Sequence, residues 1–309
     1  MLDLKIDSKN IPNFDNTEIN SPFRYAGGKF YARKLIIEML PEHNHYIEVF
    51  AGGASIFFAK NKVKHNWLND IDKDLLNTLE IIQKKPYELI KALDGIKASK
   101  ELHAYYKNEY KPKNKLQKAL RWFYLNRTSY SGIMKTQNCY FGYGDKYSMR
   151  PENWPRNILR TSSKLKDVQL TSLDFEDVIK QAPKGSFLFI DPPYFNADQD
   201  KFYTHSFKKD DHYRLAKILK KYKNKFNFML TYDNSPEVRE LYEWTDSHHE
   251  KEWNYTISRT DDQKNRTDTK GSRSKGKEIF ILNYYPPEPL VAVQSVLNQT
   301  ELQLVTHQS

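Results

Sequence analysis

Apolar residues in this chain come in two rhythms, and their alternation predicts the fold. Short buried runs end abruptly at turn formers. Tyr46-Ile47-Glu48-Val49-Phe50 breaks at Gly52-Gly53, Asn66-Trp67-Leu68-Asn69 ends at Asp70, and Phe187-Leu188-Phe189-Ile190 is halted by Asp191-Pro192-Pro193. Runs of roughly four to five apolar residues closed in this way read as central strands. Between them apolar residues return at helical spacing. Leu75, Leu76, Leu79 and Ile82 fall on one side of a helix from Asp72 to Gln83. The pattern also predicts helices from Lys29 to just before Pro41, from near Ala54, and around His212 to Tyr222. Val168-Gln169-Leu170 and Phe226-Asn227-Phe228-Met229-Leu230 add strands, and Lys277 to Tyr285 alternates enough to close the sheet. Strand, turn and helix in alternation imply a parallel sheet.

The alternation lapses between 86 and 165. Helical segments such as Leu116 to Leu125 and an irregular Tyr/Gly-rich piece, Cys139 to Asp145, take its place. The expected organisation is therefore a main domain from 21–85 and 166–285, interrupted by a largely helical insertion at 86–165. Residues 1–20, polar and without period, are expected to be a flexible lead, and 286–309 a flexible tail. Residues 258–277 carry Arg259, Lys264, Arg266, Lys270, Arg273, Lys275 and Lys277 with no apolar side chain, so they cannot build core and read as a mobile loop.

Composition narrows the partners. A formal net charge of +10, with 14% aromatic residues, suits a polyanion whose bases can stack, so nucleic acid leads a membrane surface. No apolar run approaches the roughly 20 residues that cross a bilayer. The N-terminus lacks a signal peptide's order of charge and hydrophobicity. With Cys139 the single cysteine, neither an intrachain disulfide nor a Cys-rich zinc site is available, and no metal is expected. A soluble, cytoplasmic, nucleoid-associated protein is the expectation.

The strand ends carry the candidate chemistry. Asp191-Pro192-Pro193-Tyr194 joins an acceptor, a stiff turn and an aromatic plate at a sheet's C-terminal edge, where ligands of open α/β sheets bind. Gly52-Gly53 lets backbone approach a ligand before a helix. Its spacing matches neither the dinucleotide Gly-x-Gly-x-x-Gly nor a P-loop. Asp70, at the end of the next strand, suits ribose hydroxyls as well as a cap, whereas Asp72 reads as the N-cap of the following helix. Taken alone, Tyr25 reads as a core residue, Lys29 as a surface lysine, Glu48 as an edge carboxylate and Asp174 as a cap. His248-His249 reads as a polar pair at a strand edge.

Together, four segments fall into one order: Pro22-Phe23-Arg24-Tyr25-Ala26-Gly27-Gly28-Lys29, Glu48-Val49-Phe50-Ala51-Gly52-Gly53-Ala54-Ser55, Asn69-Asp70-Ile71-Asp72 and Asp191-Pro192-Pro193-Tyr194. The chain thereby resembles the Dam-type (D12 class) S-adenosylmethionine-dependent DNA adenine-N6 methyltransferases over about 21–285. The resemblance implies a Rossmann-like methyltransferase sheet with an inserted, mainly helical target-recognition domain. It also implies that S-adenosylmethionine is held by Tyr25, Lys29, Glu48, Phe50, Gly52, Gly53, Asp70, Asp174, Phe175 and Asp191. Asp174 and Phe175 would serve its adenine.

The chemistry that follows is methylation of adenine N6 in double-stranded DNA. That nitrogen's lone pair is delocalised into the ring until acceptors such as Asp191 and the Pro192 carbonyl, stiffened by Pro193, hold its hydrogens. The base must be flipped out of the duplex, with Tyr194 as its stacking platform. Cytosine-C5 chemistry would need a cysteine after proline, and Cys139 follows Asn138.

Arg121 to Arg127 and Ser129-Tyr130-Ser131-Gly132 resemble the opening of the family's target-recognition module. Lys135 stands where Dam itself tends to have arginine, and 139–147 has its own sequence. The recognition site is therefore unassigned, with a GATC-type site as the family default. Arg127, Tyr130, Lys135, Arg150, Lys264, Arg266 and Arg273 are the candidate DNA contacts, Arg156 and Arg160 further ones, each either reading bases or touching phosphates. A cognate restriction endonuclease is a candidate partner, and a monomer or weak dimer the expected form. The rivals are a sibling acting on cytosine N4, RNA or a protein amide, and a non-catalytic nucleic-acid-binding module.

Overall fold

In the computed structural model, residues 12–144, 148–196, 204–254 and 275–287 are described. One seven-stranded sheet runs through them in the order β3-β2-β1-β4-β5-β7-β6. Its strands are β1 (His45–Glu48), β2 (His65–Asn69), β3 (Gln169–Thr171), β4 (Phe187–Ile190), β5 (Asn227–Asp233), β6 (Ser247–Asn254) and β7 (Lys275–Leu282). The first five are parallel, and β7 joins β5 antiparallel with β6 beyond it. This is the mixed α/β sheet expected of a Rossmann-like methyltransferase. The closing strand begins at Lys275, so the last residues assigned to the basic loop belong to the sheet. The rest of that loop, including Lys264, Arg266 and Arg273, lies outside the described residues.

Two-residue alternation splits the strands between two apolar layers. Tyr46, Phe187, Phe189, Met229, Phe280 and Leu282 enter one layer, and Ile47, Leu188, Ile190, Phe228, Leu230, Ile279 and Ile281 the other. Helices α1 (Arg33–Glu38), α2 (Ser55–Ala59) and α3 (Lys73–Lys84) bury residues in the first layer, whereas α8 (Phe175–Gln181), α9 (Lys209–Tyr222) and α10 (Pro236–Leu241) bury theirs in the second. Helix α3 forms as its spacing predicts. Asp72 caps it by accepting from Asp74 and Leu75 amides, and Leu75, Leu76, Leu79 and Ile82 are buried. Such a cap contributes about 1 kcal/mol.

Between β2 and β3 lie also α4 (Pro86–Leu93), α5 (Lys100–Asn108), α6 (Lys115–Thr128) and α7 (Trp154–Leu165). They share the first apolar layer with the sheet: Leu89, Phe123, Trp154 and Ile158 join Phe57 and Leu68 in one cluster. Helix α6 is buried on nearly every side from Leu120 onward because α3, α4 and α5 all pack on it.

Two local expectations change. The helix predicted from Lys29 starts only at Arg33, leaving Lys29 on a loop after Gly27, which takes φ 77°. Residues 12–20, expected to be flexible, are docked. Ile19 is buried and donates its amide to the Phe58 carbonyl at 3.0 Å, and the Lys62 amide donates to the Asp15 carbonyl at 2.8 Å.

Candidate active site

A cleft of about 700 Å³ opens at the C-terminal edge of the parallel strands, where β1 lies between β2 and β4. That volume falls within the roughly 300–1,000 Å³ of small-ligand sites. Its walls come from the loop at Tyr25 to Lys29, the turn from Phe50 to Ser55 after β1, Asp70 to Asp72 after β2, and Asp191 and Pro193 after β4. Of the candidates for cofactor, Tyr25, Lys29, Glu48, Phe50, Gly52, Gly53, Asp70 and Asp191 line it together.

The glycine turn is held from both sides. Gly52 has φ +47°, and a Cβ there would come within 2.7 Å of the Tyr25 ring; at Gly53 it would come within 3.0 Å of the Tyr25 Cβ. The glycines thus admit Tyr25 over the turn as well as freeing its backbone. From the other side, the Gly52 amide donates to Asp70 Oδ2 at 2.8 Å, and the Asp72 amide to Asp70 Oδ1 at 2.9 Å. Each Asp70 oxygen keeps a second lone pair for hydroxyl donors. Burial, partly offset by these two amides, pushes the Asp70 carboxyl up to about 6. Asn69 behind it ties three strand ends together, donating to the Val49 and Leu173 carbonyls at 3.0 and 3.1 Å.

Strand parity sends a row of polar residues to one face. Glu48, Asp191, Thr231 and Glu278 share the alternation of Tyr46, Phe189, Met229 and Phe280, so all four emerge beneath the Lys29 loop. Lys29 Nζ donates to Asp191 Oδ2 at 2.9 Å, lies 2.8 Å from Oδ1, and donates to the Gly27 carbonyl at 3.1 Å. Thr231 Oγ1 donates to Asp191 Oδ1 at 2.6 Å. Burial, opposed by Lys29 and Thr231, leaves the Asp191 carboxyl above its ordinary value. The side chain remains 18% exposed, against 5% for Lys29, so it still faces the cleft. Glu48 accepts from Tyr46 Oη at 2.8 Å and the Phe57 amide at 2.7 Å, and burial raises its carboxyl to about 8.

Lys29 was expected to meet a cofactor carboxylate; its carboxylate here is the chain's own Asp191. Tyr194 Oη donates to Glu278 Oε1 at 2.7 Å, and the Tyr194 ring lies under Lys29 with Nζ 5.0 Å from its centre. Pro192 is buried and Pro193 is in the cleft wall.

Asp174 and Phe175 do not line the cleft. Asp174 caps α8, accepting from the Glu176 amide, and pairs with Arg214 at 3.1 Å. Phe175 is buried behind Phe50, with ring centres 5.7 Å apart, so the aromatic surface presented to the cleft is Phe50.

Among the DNA candidates, Arg127 is an inward residue, 5% exposed and donating to the Pro22 carbonyl at 3.3 Å. Helix α6 is buried all round at that point, which corrects the expectation of a surface contact. Arg150 is exposed; Tyr130 and Lys135 are half-buried beside the short helical turn Tyr130–Gly132.

Residues the sequence reading passed over complete the site. Thr231 and Glu278 were hidden inside apolar strand runs, where their parity was the available signal. Thr204 and His205, in the cleft wall, were not singled out, and Thr204 Oγ1 donates to Asp72 Oδ2 at 3.0 Å. Among the described residues no three His, Cys, Asp or Glu side chains group to hold a metal, and no helix is long and apolar enough to cross a membrane.

The sequence profile of the D12 class N6 adenine-specific DNA methyltransferases matches residues 25–257. Among curated proteins, the type II methyltransferase M1.LlaDCHI of Lactococcus lactis subsp. cremoris is 28% identical over 85% of this chain and 95% of its own. The type II methyltransferase M.CviBI of Paramecium bursaria Chlorella virus NC1A is 27% identical over 79% of this chain and 95% of its own. The DNA N-6-adenine-methyltransferase of Escherichia phage P1 is 29% identical over 72% of this chain, but only 31% of that longer protein is matched.

Proposed function

The chain belongs to the D12 class of N6 adenine-specific DNA methyltransferases, and from that footing we propose how its cleft works: it holds S-adenosylmethionine between the glycine turn and Asp70, with Asp191 facing the target amine. The residues fit such a group. Asp70 ends β2 with lone pairs to spare for ribose hydroxyls, Phe50 offers a flat apolar wall for a purine, and the Gly52–Gly53 turn carries no side chain into the space. When bound, the cofactor supplies an electrophilic methyl group that N6 takes directly, with no enzyme-linked intermediate.

Asp191 accepts a hydrogen of the flipped adenine's amino group, the Pro192 carbonyl accepts the other, and the nitrogen's lone pair is drawn out of conjugation. Tyr194 stacks on the base and offsets part of its unstacking cost of a few kcal/mol. Residues 86–165 serve as the target-recognition part, with Tyr130, Lys135 and Arg150 toward DNA. The resemblance to type II methyltransferases favours a modification role beside a restriction endonuclease in the cytoplasm, the chain acting as a monomer or weak dimer.

One observation carries the reading: a partly open carboxylate at the end of β4 shares a cleft with the glycine turn after β1. Labelled methyl transfer to DNA from cells lacking adenine methylation tests it, with the product nucleoside identified after digestion. N6-methyladenine is expected. Asp191→Asn should lower the rate by roughly 10²–10³-fold, in line with loss of one preorganised polar contact in a water-poor site. N4-methylcytosine, or label in RNA or protein, overturns the assignment of target.

A further inference from the structure

We propose that Glu278 is a positioning residue for methyl transfer: it anchors the Tyr194 hydroxyl and gives the Lys29 ammonium a second seat when the target amine takes Asp191. The inference rests on the reading of Asp191 as the acceptor of that amine.

Glu278 reaches the site because β7 is antiparallel. Its register sets Glu278 opposite Asp233, so an early residue of β7 meets the C-terminal end of β5 and stands close to the Asp191 edge. The residue is 3% exposed. A carboxylate so buried is costly unless other groups use it, and two groups of the site do. Tyr194 Oη donates to its Oε1 at 2.7 Å, fixing the ring about its axis. Lys29 Nζ stands 3.9 Å from the same oxygen.

Lys29 makes the second half of the argument. Its nitrogen is a donor 2.8–2.9 Å from the Asp191 oxygens and 5.0 Å from the centre of the Tyr194 ring. Those are the two contacts required of the target amino group, a carboxylate and an aromatic plate, so ammonium and amine compete for one place. A rotamer change in a four-carbon side chain suffices to exchange Asp191 for Glu278. The ion pair is kept, and the buried charge count does not change. With the ammonium on Glu278, Asp191 regains the electron density that its acceptor role needs.

Single-turnover methyl transfer to unmethylated DNA, measured across pH with cofactor binding followed by calorimetry, tests this in the full chain. Glu278→Gln and Tyr194→Phe are each expected to slow transfer roughly 10- to 100-fold, the usual scale for a charge-assisted buried hydrogen bond, with cofactor affinity unchanged. The combined variant should be no slower than the worse single one, because both remove one contact. The charged groups that face Asp191 are Lys29, Glu48 and Glu278, with the Tyr194 and Tyr232 hydroxyls beside it. Removing the Glu278 charge stabilises ionised Asp191, so the acid limb of the rate profile should move to lower pH in Glu278→Gln. It should stay in place in Tyr194→Phe, which changes no charge. Glu278→Asp keeps the charge and should keep the limb, and it carries the pH test if Glu278→Gln does not fold. Additive losses, or an unmoved limb in Glu278→Gln, overturn the role of Glu278. A wild-type chain that binds cofactor but labels no DNA overturns the reading of Asp191 and this inference with it.

Discussion

Buried polar side chains gather in two regions of this protein, the cleft and the junction of α6 with the Arg24 loop, and they behave differently. At the junction each group is spent internally. Asn126 accepts from the Arg24 amide at 3.0 Å and donates to the Arg24 carbonyl at 2.8 Å, closing both ends of one residue. His103 spans Thr128 Oγ1 at 2.8 Å and the Cys139 carbonyl at 3.2 Å. Arg127 turns to the Pro22 carbonyl. In the cleft, Asp70 and Asp191 also hold internal partners but keep an open side toward the cavity. Burial of a polar residue therefore does not mark a site. Capacity left over on a cavity wall does.

Substitutions can break or sharpen this contrast. The largest effect on stability is expected at the junction: Asn126→Ala leaves buried backbone groups of Arg24 unpaired and should cost about 3 kcal/mol in urea unfolding. A stable but inactive Asn126→Ala would mean that the junction itself is part of the chemistry. In the cleft, Gly52→Ala forces a side chain into left-handed backbone against the Tyr25 ring. Cofactor affinity by calorimetry should fall about tenfold or more, with a smaller loss of stability, since the strain of roughly 1–2 kcal/mol sits where the ligand does.

The basic residues give a finer test. Arg150→Ala should reduce the salt dependence of DNA binding by about one counterion, a slope change near 1, without lowering the melting temperature. Arg127→Met should do the reverse, sparing the slope and costing stability. Equal slope changes would place Arg127 at the interface. The smallest effect is electrostatic. Burial raises the Glu48 carboxyl from 4.5 to about 8, so the folded chain keeps a proton that the unfolded chain has lost, and this group's contribution falls as pH rises through that window. Glu48→Gln should flatten the difference in urea midpoint between about pH 5 and about pH 8. An unchanged difference would show that Glu48 does not titrate in that range.

The strand and helix order was readable because each apolar run ends at a residue with a physical reason to stop it: Gly52, Asp70, Pro192. The site residues at those stops were readable for the same reason. Others were not. Thr231 and Glu278 interrupt apolar strands and reveal themselves only once register puts them beside Asp191. Asp174 and Phe175 follow a strand as a ligand pair would, yet Arg214 and Phe50 stand between that expectation and the cleft. Arg127 belongs to a charged, aromatic helix that looks surface-bound until α3, α4 and α5 enclose it.

The chain by itself determined its local grammar: where strands stop, which helix Asp72 caps, and which four segments hold the chemistry. These depend on steric and hydrogen-bonding rules that act within a few residues. Only the tertiary structure decided which carboxylate Lys29 would neutralise, which face Glu278 would serve and which arginine would be buried. Those outcomes depend on strand register and on the direction of β7, and groups distant in sequence meet there under burial strong enough to make every charge find a partner.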